Sequence, residues 1–143
     1  MILKKILVFM LIAFTLLLPL VSCSNFSKIE AYTIGDEQIA SIYAVVGERS
    51  VLGVESSTSG GVPEKTYKYS SNTVTDDLLA YFTYLNATNW VLIQDYNLNV
   101  VPGSAQYAKN STESGKVLII TVSFDTQRYN IHITKIEGTL TIY

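Results

Sequence analysis

Residues Lys116–Ile136, KVLIITVSF-DTQ-RYNIHITKI, decide how this chain folds. Lys116–Phe124 is rich in Val and Ile, the composition of a strand with a buried face. Arg128–Ile136 alternates, with Tyr129, Ile131 and Ile133 on one side and Arg128, Asn130, His132 and Thr134 on the other. Asp125-Thr126-Gln127 is too short to do more than reverse the chain. Two strands joined so briefly must be antiparallel neighbours. A sheet with one alternating apolar face needs a cover on that face.

Working outward, Glu137-Gly138 turns the chain again, and Thr139–Tyr143 reads as a last strand with Leu140 and Ile142 inward. On the N-terminal side, Asn110–Gly115 is a polar turn and Ser104–Lys109 a short strand. Val100-Val101-Pro102-Gly103 is a loop, and Trp90–Tyr96 a strand. Before it lies a helix. Thr75 can cap it, and Asp76 and Asp77 stand in its first turn, where negative charge suits the helix dipole. Leu78, Leu79, Phe82 and Leu85 form its buried stripe, with Tyr81 or Tyr84 at the border and Asn86 at the exit.

Further back, Ser50–Ser56 and Lys65–Ser70 read as two strands around the loop Thr58–Pro63, with Tyr67 and Tyr69 sharing a face. Asp36–Val46 reads as a first helix. Ile39, Ile42, Tyr43 and Val46 stand at i, i+3, i+4 and i+7, acids occupy the first turn, and Gly47 marks the stop. Ile29–Ile34 is a short strand ahead of it. The expected fold class is therefore α+β: two amphipathic helices packed on a mostly antiparallel sheet, in two layers. The two halves, each a helix leading into strands, are too dissimilar to count as a repeat.

The start of the chain has another character. Lys4 and Lys5 precede Ile6–Leu20, an apolar run without a charge. These are the charged and apolar regions of an export signal. The run is shorter than the roughly 20 residues that cross a bilayer, and no second run of that kind follows, which excludes a polytopic membrane protein. It ends in Leu20-Val21-Ser22-Cys23. That tetrad resembles the lipobox of bacterial lipoprotein signal peptides, with Val21 a minor departure from the usual Ala or Ser. The resemblance implies that Cys23 is joined to diacylglycerol and that cleavage falls between Ser22 and Cys23. It implies residues 1–22 as a removed signal peptide, 23–28 as a lipidated tether, and 29–143 as a single domain. An uncleaved anchor would leave Cys23, the chain's one cysteine, without a role, since it has no partner for a disulfide. Two or three acyl chains on one sulfur would hold the protein durably, where one chain holds marginally.

With Lys4 and Lys5 removed, eight basic residues face twelve acidic ones, a formal charge of −4. This balance argues against nucleic acid and against a basic lipid-binding face. Chemistry-bearing patterns are few. His132 is the one histidine and falls on a polar strand face. No His/Cys cluster suits a metal, and no acidic loop resembles a calcium site. Asp36 with Glu37, and Asp76 with Asp77, are helix neighbours that do not face each other. There is no Gly-x-Ser-x-Gly elbow, and Gly60-Gly61 lacks the Gly-Lys-Ser/Thr of a phosphate loop. Asn86-Ala87-Thr88 is a chance glycosylation triplet. No catalytic residue, metal or cofactor is expected.

All ten tyrosines lie beyond the leader. Tyr67, Tyr69, Tyr81, Tyr84, Tyr96 and Tyr107 could stack on sugars or form a protein-binding patch. The competing account puts each ring in the core with a wet hydroxyl, and Trp90 as an anchor between helix and sheet. Tyr67, Tyr69 and Trp90 are the candidate ligand-binding residues. In general build the chain resembles small lipoproteins of Gram-positive bacteria. The role of those lipoproteins is unknown; the expected function is a non-enzymatic domain on the extracytoplasmic face of the cell membrane, lipid-anchored through Cys23, that binds or supports an envelope partner, an envelope protein or a cell-wall polymer. The alternative is a cell-wall or carbohydrate-binding module working through exposed tyrosines.

Overall fold

The computed structural model describes residues 28–141. The expected signal peptide, Cys23, the expected tether up to Ser27 and the final Ile142 and Tyr143 lie outside the described residues. In chain order the elements are β1 (Ala31–Ile34), β2 (Glu37–Ala40), α1 (Ile42–Val46), β3 (Ser50–Ser59), β4 (Val62–Ser70), α2 (Val74–Ala87), β5 (Val91–Gln94), β6 (Gly103–Asn110), β7 (Lys116–Phe124) and β8 (Arg128–Glu137). Six strands form one sheet in the order β3-β4-β8-β7-β6-β5, and β1 pairs with β2 alone. Every pairing is antiparallel.

The expected α+β arrangement is overturned. The domain is mostly β, with 51% of the described residues in strands and 17% in helices. The error lies in Asp36–Val46, which is not one helix. Gly35 and Asp36 are the two loop residues of a hairpin, and Gly35 takes φ 56°, the left-handed value a type II′ turn needs at that position. Residues 31–34 pair with 37–40 on either side of it. A one-turn helix, α1, then remains. Ser41 caps it by accepting from the Ala44 N–H at 3.2 Å, and Gly47 ends it at φ 103° as expected. The apparent stripe joins Ile39, buried from a strand, to Ile42, buried from a helix.

The β7–β8 hairpin stands where the sequence places it, and it is central. Ile120 pairs with Ile133, Val122 with Ile131, and Phe124 with Tyr129. Tyr67 of β4 flanks Ile131 on the far side, and Tyr107 of β6 flanks Ile120. These residues line the covered face, and all are buried. The β3–β4 hairpin runs longer than expected. Its strands continue to Ser59 and Val62, and Gly60 and Gly61 alone turn it, both at positive φ in the type I′ manner. At the C-terminal end Thr139–Thr141 is not a strand. The Asn110 side-chain amide accepts from the Leu140 N–H at 2.7 Å and donates to its carbonyl at 3.0 Å, in place of a neighbouring strand.

Helix α2 lies on the covered face. Val74, Leu78, Tyr81, Phe82 and Leu85 are buried along it. Leu79 is not, being 55% exposed, because it stands about 100° around the helix from Leu78, where Tyr81 and Phe82 already fill the inner side. The β1–β2 hairpin covers the rest of the face, and tyrosine hydroxyls attach it. Thr33 N–H donates to Tyr67 Oη at 3.0 Å, and Ile42 N–H, just after the hairpin, ties back to Tyr32 Oη at 3.1 Å. Tyr81 donates to the Ala40 carbonyl and Tyr32 to Tyr69 Oη, both at 3.0 Å.

Burial pushes the Tyr69 hydroxyl up to about 12 and raises Tyr32, Tyr81, Tyr107 and Tyr129 as well. A group whose folded value is raised contributes stability below its unfolded value, near 10, and loses it as pH rises toward the folded one. The protein should therefore melt at progressively lower temperature above about pH 10. Tyrosinate absorbance should rise in two stages, the second coinciding with loss of the circular-dichroism signal. A single non-cooperative rise without unfolding would refute this.

Candidate functional site

The richest surface lies at one end of the sheet, where the segments 71–73, 95–102 and 125–127 meet. Each is fixed locally. Asp125 Oδ1 accepts from the N–H groups of Gln127 and Arg128 at 2.7 and 2.8 Å, and these bonds hold its carboxyl below the usual range. Asn97 Oδ1 accepts from the Asn99 N–H at 2.9 Å, closing a side-chain turn. The Val101-Pro102 peptide is cis. Gly103 follows because nothing larger fits: a Cβ there would run into the Phe124 ring and come within 2.8 Å of the Val100 carbonyl.

Three open clefts surround this end. One, of about 400 Å³, lies between the start of α2 and the 125–126 turn, with Thr75, Asp76, Asn99 and Val101 in its wall. A second, of about 430 Å³, opens on the uncovered sheet face between Leu52, Lys68, Pro102, Arg128 and Asn130. A third, of about 400 Å³, shares Leu52 and Arg128 with it. Leu52 faces out because of a bulge. Val51 pairs with Tyr69 and Gly53 with Lys68, so Leu52 is the extra residue of β3.

Beneath the clefts, Asp77 fastens this end together. Its side chain is 1% exposed. It accepts from Arg49 Nε at 2.7 Å and Nη2 at 2.6 Å, from Ser71 Oγ at 2.7 Å, from Thr73 Oγ1 at 3.1 Å and from Tyr129 Oη at 3.3 Å. Burial alone would raise its pKa. The Arg49 guanidinium and the two hydroxyls reverse that, and the carboxyl stays below its ordinary value. Thr73, the residue before α2, makes no side-chain capping bond because its hydroxyl is turned to Asp77.

The sheet face opposite α2 is uncovered among the described residues. Thr66, His132, Thr121 and Gln106 make one row across four strands. His132 is half-buried there, its Nδ1 2.9 Å from Thr66 Oγ1. No three of His, Cys, Asp and Glu converge among the described residues.

The residues singled out for ligand binding are elsewhere. Tyr67, Tyr69 and Trp90 are 3%, 2% and 7% exposed. They are core residues, and an exposed stacking platform on them does not exist. Tyr81 and Tyr107 are fully buried too, while Tyr84 and Tyr96 are half-buried at its margin. The tyrosine hydroxyls of the hairpin seam are bonded within the protein rather than wet. Trp90 packs at the α2–β5 junction, with Lys109 Nζ 5.9 Å from its ring centre. Asp36 and Glu37 do not serve a helix dipole. Glu37 is buried and accepts from the Thr112 N–H at 2.8 Å and from the Ser111 and Thr112 hydroxyls, tying β2 to the β6–β7 turn. Both acids stand in the first turn of α2 as expected, Asp76 exposed and Asp77 buried, and the buried role of Asp77 is what the sequence reading missed. Its only signal was its position on the same side of α2 as Val74, Leu78 and Tyr81.

No protein-family model matches the chain, and neither a curated protein nor a solved structure proved similar to it.

Removing one partner of a buried ion pair strands the other. Asp77→Asn should cost on the order of 3 kcal/mol, whereas the exposed Asp76→Asn should stay within about 0.5 kcal/mol. Because the Asp77 value is depressed, its stabilisation is present above the unfolded carboxyl range, near pH 4, and is lost as pH falls through the folded value. Urea melts of both variants at pH 7 and pH 3 check this. An Asp77→Asn penalty of equal size at both pH values would refute it.

Proposed function

We propose that this protein is a membrane-anchored extracytoplasmic lipoprotein, attached through lipid on Cys23, whose folded part is a non-enzymatic binding or support domain for an envelope partner. One observation carries the proposal: Leu20-Val21-Ser22-Cys23 closes a charge-free apolar run that follows Lys4 and Lys5. The folded part begins soon afterwards, with β1 at Ala31. Among the described residues no helix is long and apolar enough to cross a membrane. The row Thr66, His132, Thr121 and Gln106, on a face that no helix among the described residues covers, offers donors and acceptors to a protein partner. Sugar stacking on exposed tyrosines loses its support, since Tyr67, Tyr69 and Trp90 are core residues.

Cys23→Ser tests the anchor. Cells fed a labelled fatty acid should incorporate label into the wild-type chain and none into the variant, which should also retain its leader. The mass of the wild-type protein should match residues 23–143 plus diacylglyceryl or triacyl groups. Continued labelling of Cys23→Ser, or native protein with intact Met1 and free sulfur, would overturn the proposal.

A further inference from the structure

We propose that the loop end of the domain is a lipid-docking edge, seated on the bilayer that holds Cys23. The inference rests on the lipoprotein reading and adds an orientation to it. From Cys23 to Lys28 there are five residue steps, which span at most about 17 Å when fully extended. The sheet is longer than that, since the ten residues of β3 extend about 30 Å. Whichever end carries Lys28 is therefore held near the headgroups, while the other end is free to stand away from them.

Lys28 is at the loop end. It stands against Arg49, Val51 and Tyr69, with its Nζ 3.9 Å from Glu48. Val51 adjoins Leu52, and Leu52 shares a cleft with Pro102. Here large apolar side chains face water: Leu52 is 53% exposed, Val100 58% and Val101 43%. The strand bulge turns Leu52 outward, and the cis Val101-Pro102 peptide lies in the loop that carries the valines. The charges around them are mixed: Lys28, Lys68 and Arg128 stand near Glu48, Asp76 and Asp125. Such an edge fits the headgroup–acyl boundary of a neutral bilayer rather than an anionic surface. So few side chains would not hold a free protein on lipid. Confined by a short tether, they act at high effective concentration, and shallow insertion suffices.

The test uses the full chain, acylated in cells and reconstituted in phosphatidylcholine vesicles. The acylated sulfur of Cys23 is a thioether and cannot react, so Leu52→Cys, Val100→Cys and, at the far hairpin tip, Ser59→Cys can each be spin-labelled singly. All three positions are exposed. At positions 52 and 100, collision with oxygen should rise severalfold relative to a water-soluble nickel complex when the sample passes from detergent to vesicles. At position 59 the ratio should not change. Equal water access at all three sites, in protein whose mass confirms acylation, would overturn the docking edge and leave the lipoprotein reading standing. An unmodified Cys23 would remove both. Spin–spin broadening at position 100 that vanishes on dilution with unlabelled protein would assign the patch to a second copy, and would also overturn the proposal.

Discussion

One helix is too narrow to cover a six-stranded sheet, and the rest of the architecture follows from that mismatch. Six strands at about 4.8 Å spacing place the edge strands about 24 Å apart, while a helix with its side chains is about 10 Å wide. α2 packs over the β5–β7 side, with Phe82 against Tyr96 and Tyr107. The β4–β8 side needs another cover, and the β1–β2 hairpin supplies it through Tyr32 against Tyr67 and Tyr69. A second helix would have satisfied its own backbone internally. A lone two-stranded hairpin cannot, since its outer N–H and C=O groups have no ladder partner. Thr33 and Ala40 present such groups toward the core. Tyr67 and Tyr81 meet them with hydroxyls carried on rings large enough to fill the layer. That explains why this core is built from tyrosine where leucine or phenylalanine would be usual.

The same need places Asp77. The segments on either side of the cover must be held in register with the sheet, and each ends in a loop. Arg49 follows α1, Ser71 and Thr73 precede α2, and Tyr129 belongs to β8. One carboxylate receives all of them. Glu37 repeats the device at the opposite end, where it joins β2 to Ser111 and Thr112. The hairpin cover is thus fastened at one end by the Glu37 carboxylate and along its length by tyrosine hydroxyls, while Asp77 ties the segments after α1 and before α2 to β8.

What could be read from the sequence was local. β7 and β8 were legible because alternation, β-branched residues and a short polar turn coincide between Lys116 and Ile136. α2 was legible because its apolar stripe runs for three turns. Residues 31–46 were not, because two periods fit the same apolar residues. Ile39, Ile42, Tyr43 and Val46 have the spacing of a helix face, yet Ile39 suits a strand and Ile42 a separate helical turn equally well, and Gly35-Asp36, a hairpin loop, decides between them. The pairing of β4 with β8 joins residues 58 to 70 positions apart, and no spacing along the chain announces it. The loop-end surface was illegible for a related reason. Val51, Leu52 and Val54 read as one apolar run, and only the ladder with β4 reveals the extra residue that turns Leu52 outward. The tyrosines had the composition of a binding face and the position of a core, and burial of the β1–β2 hairpin over them settled which.

The two edges of the sheet show how an open antiparallel layer stays unpaired. β3 runs ten residues with one side unpaired among the described residues, the kind of template on which another chain could add a strand. It carries a bulge at Leu52, a glycine at 53 and a charge at Glu55, which accepts from Lys68 of its neighbour at 2.5 Å. β5 is only four residues long and is bulged between Leu92 and Gln94, leaving Ile93 as the extra residue. Each bulge breaks the regular spacing of free N–H and C=O groups, so neither edge offers a continuous ladder. Each also turns an apolar side chain outward, Leu52 at 53% and Ile93 at 47% exposure. The device that blocks strand addition therefore produces exposed apolar residues as its by-product. At the loop end, the exposed Leu52 joins Val100 and Val101, and the by-product of edge protection becomes part of a surface.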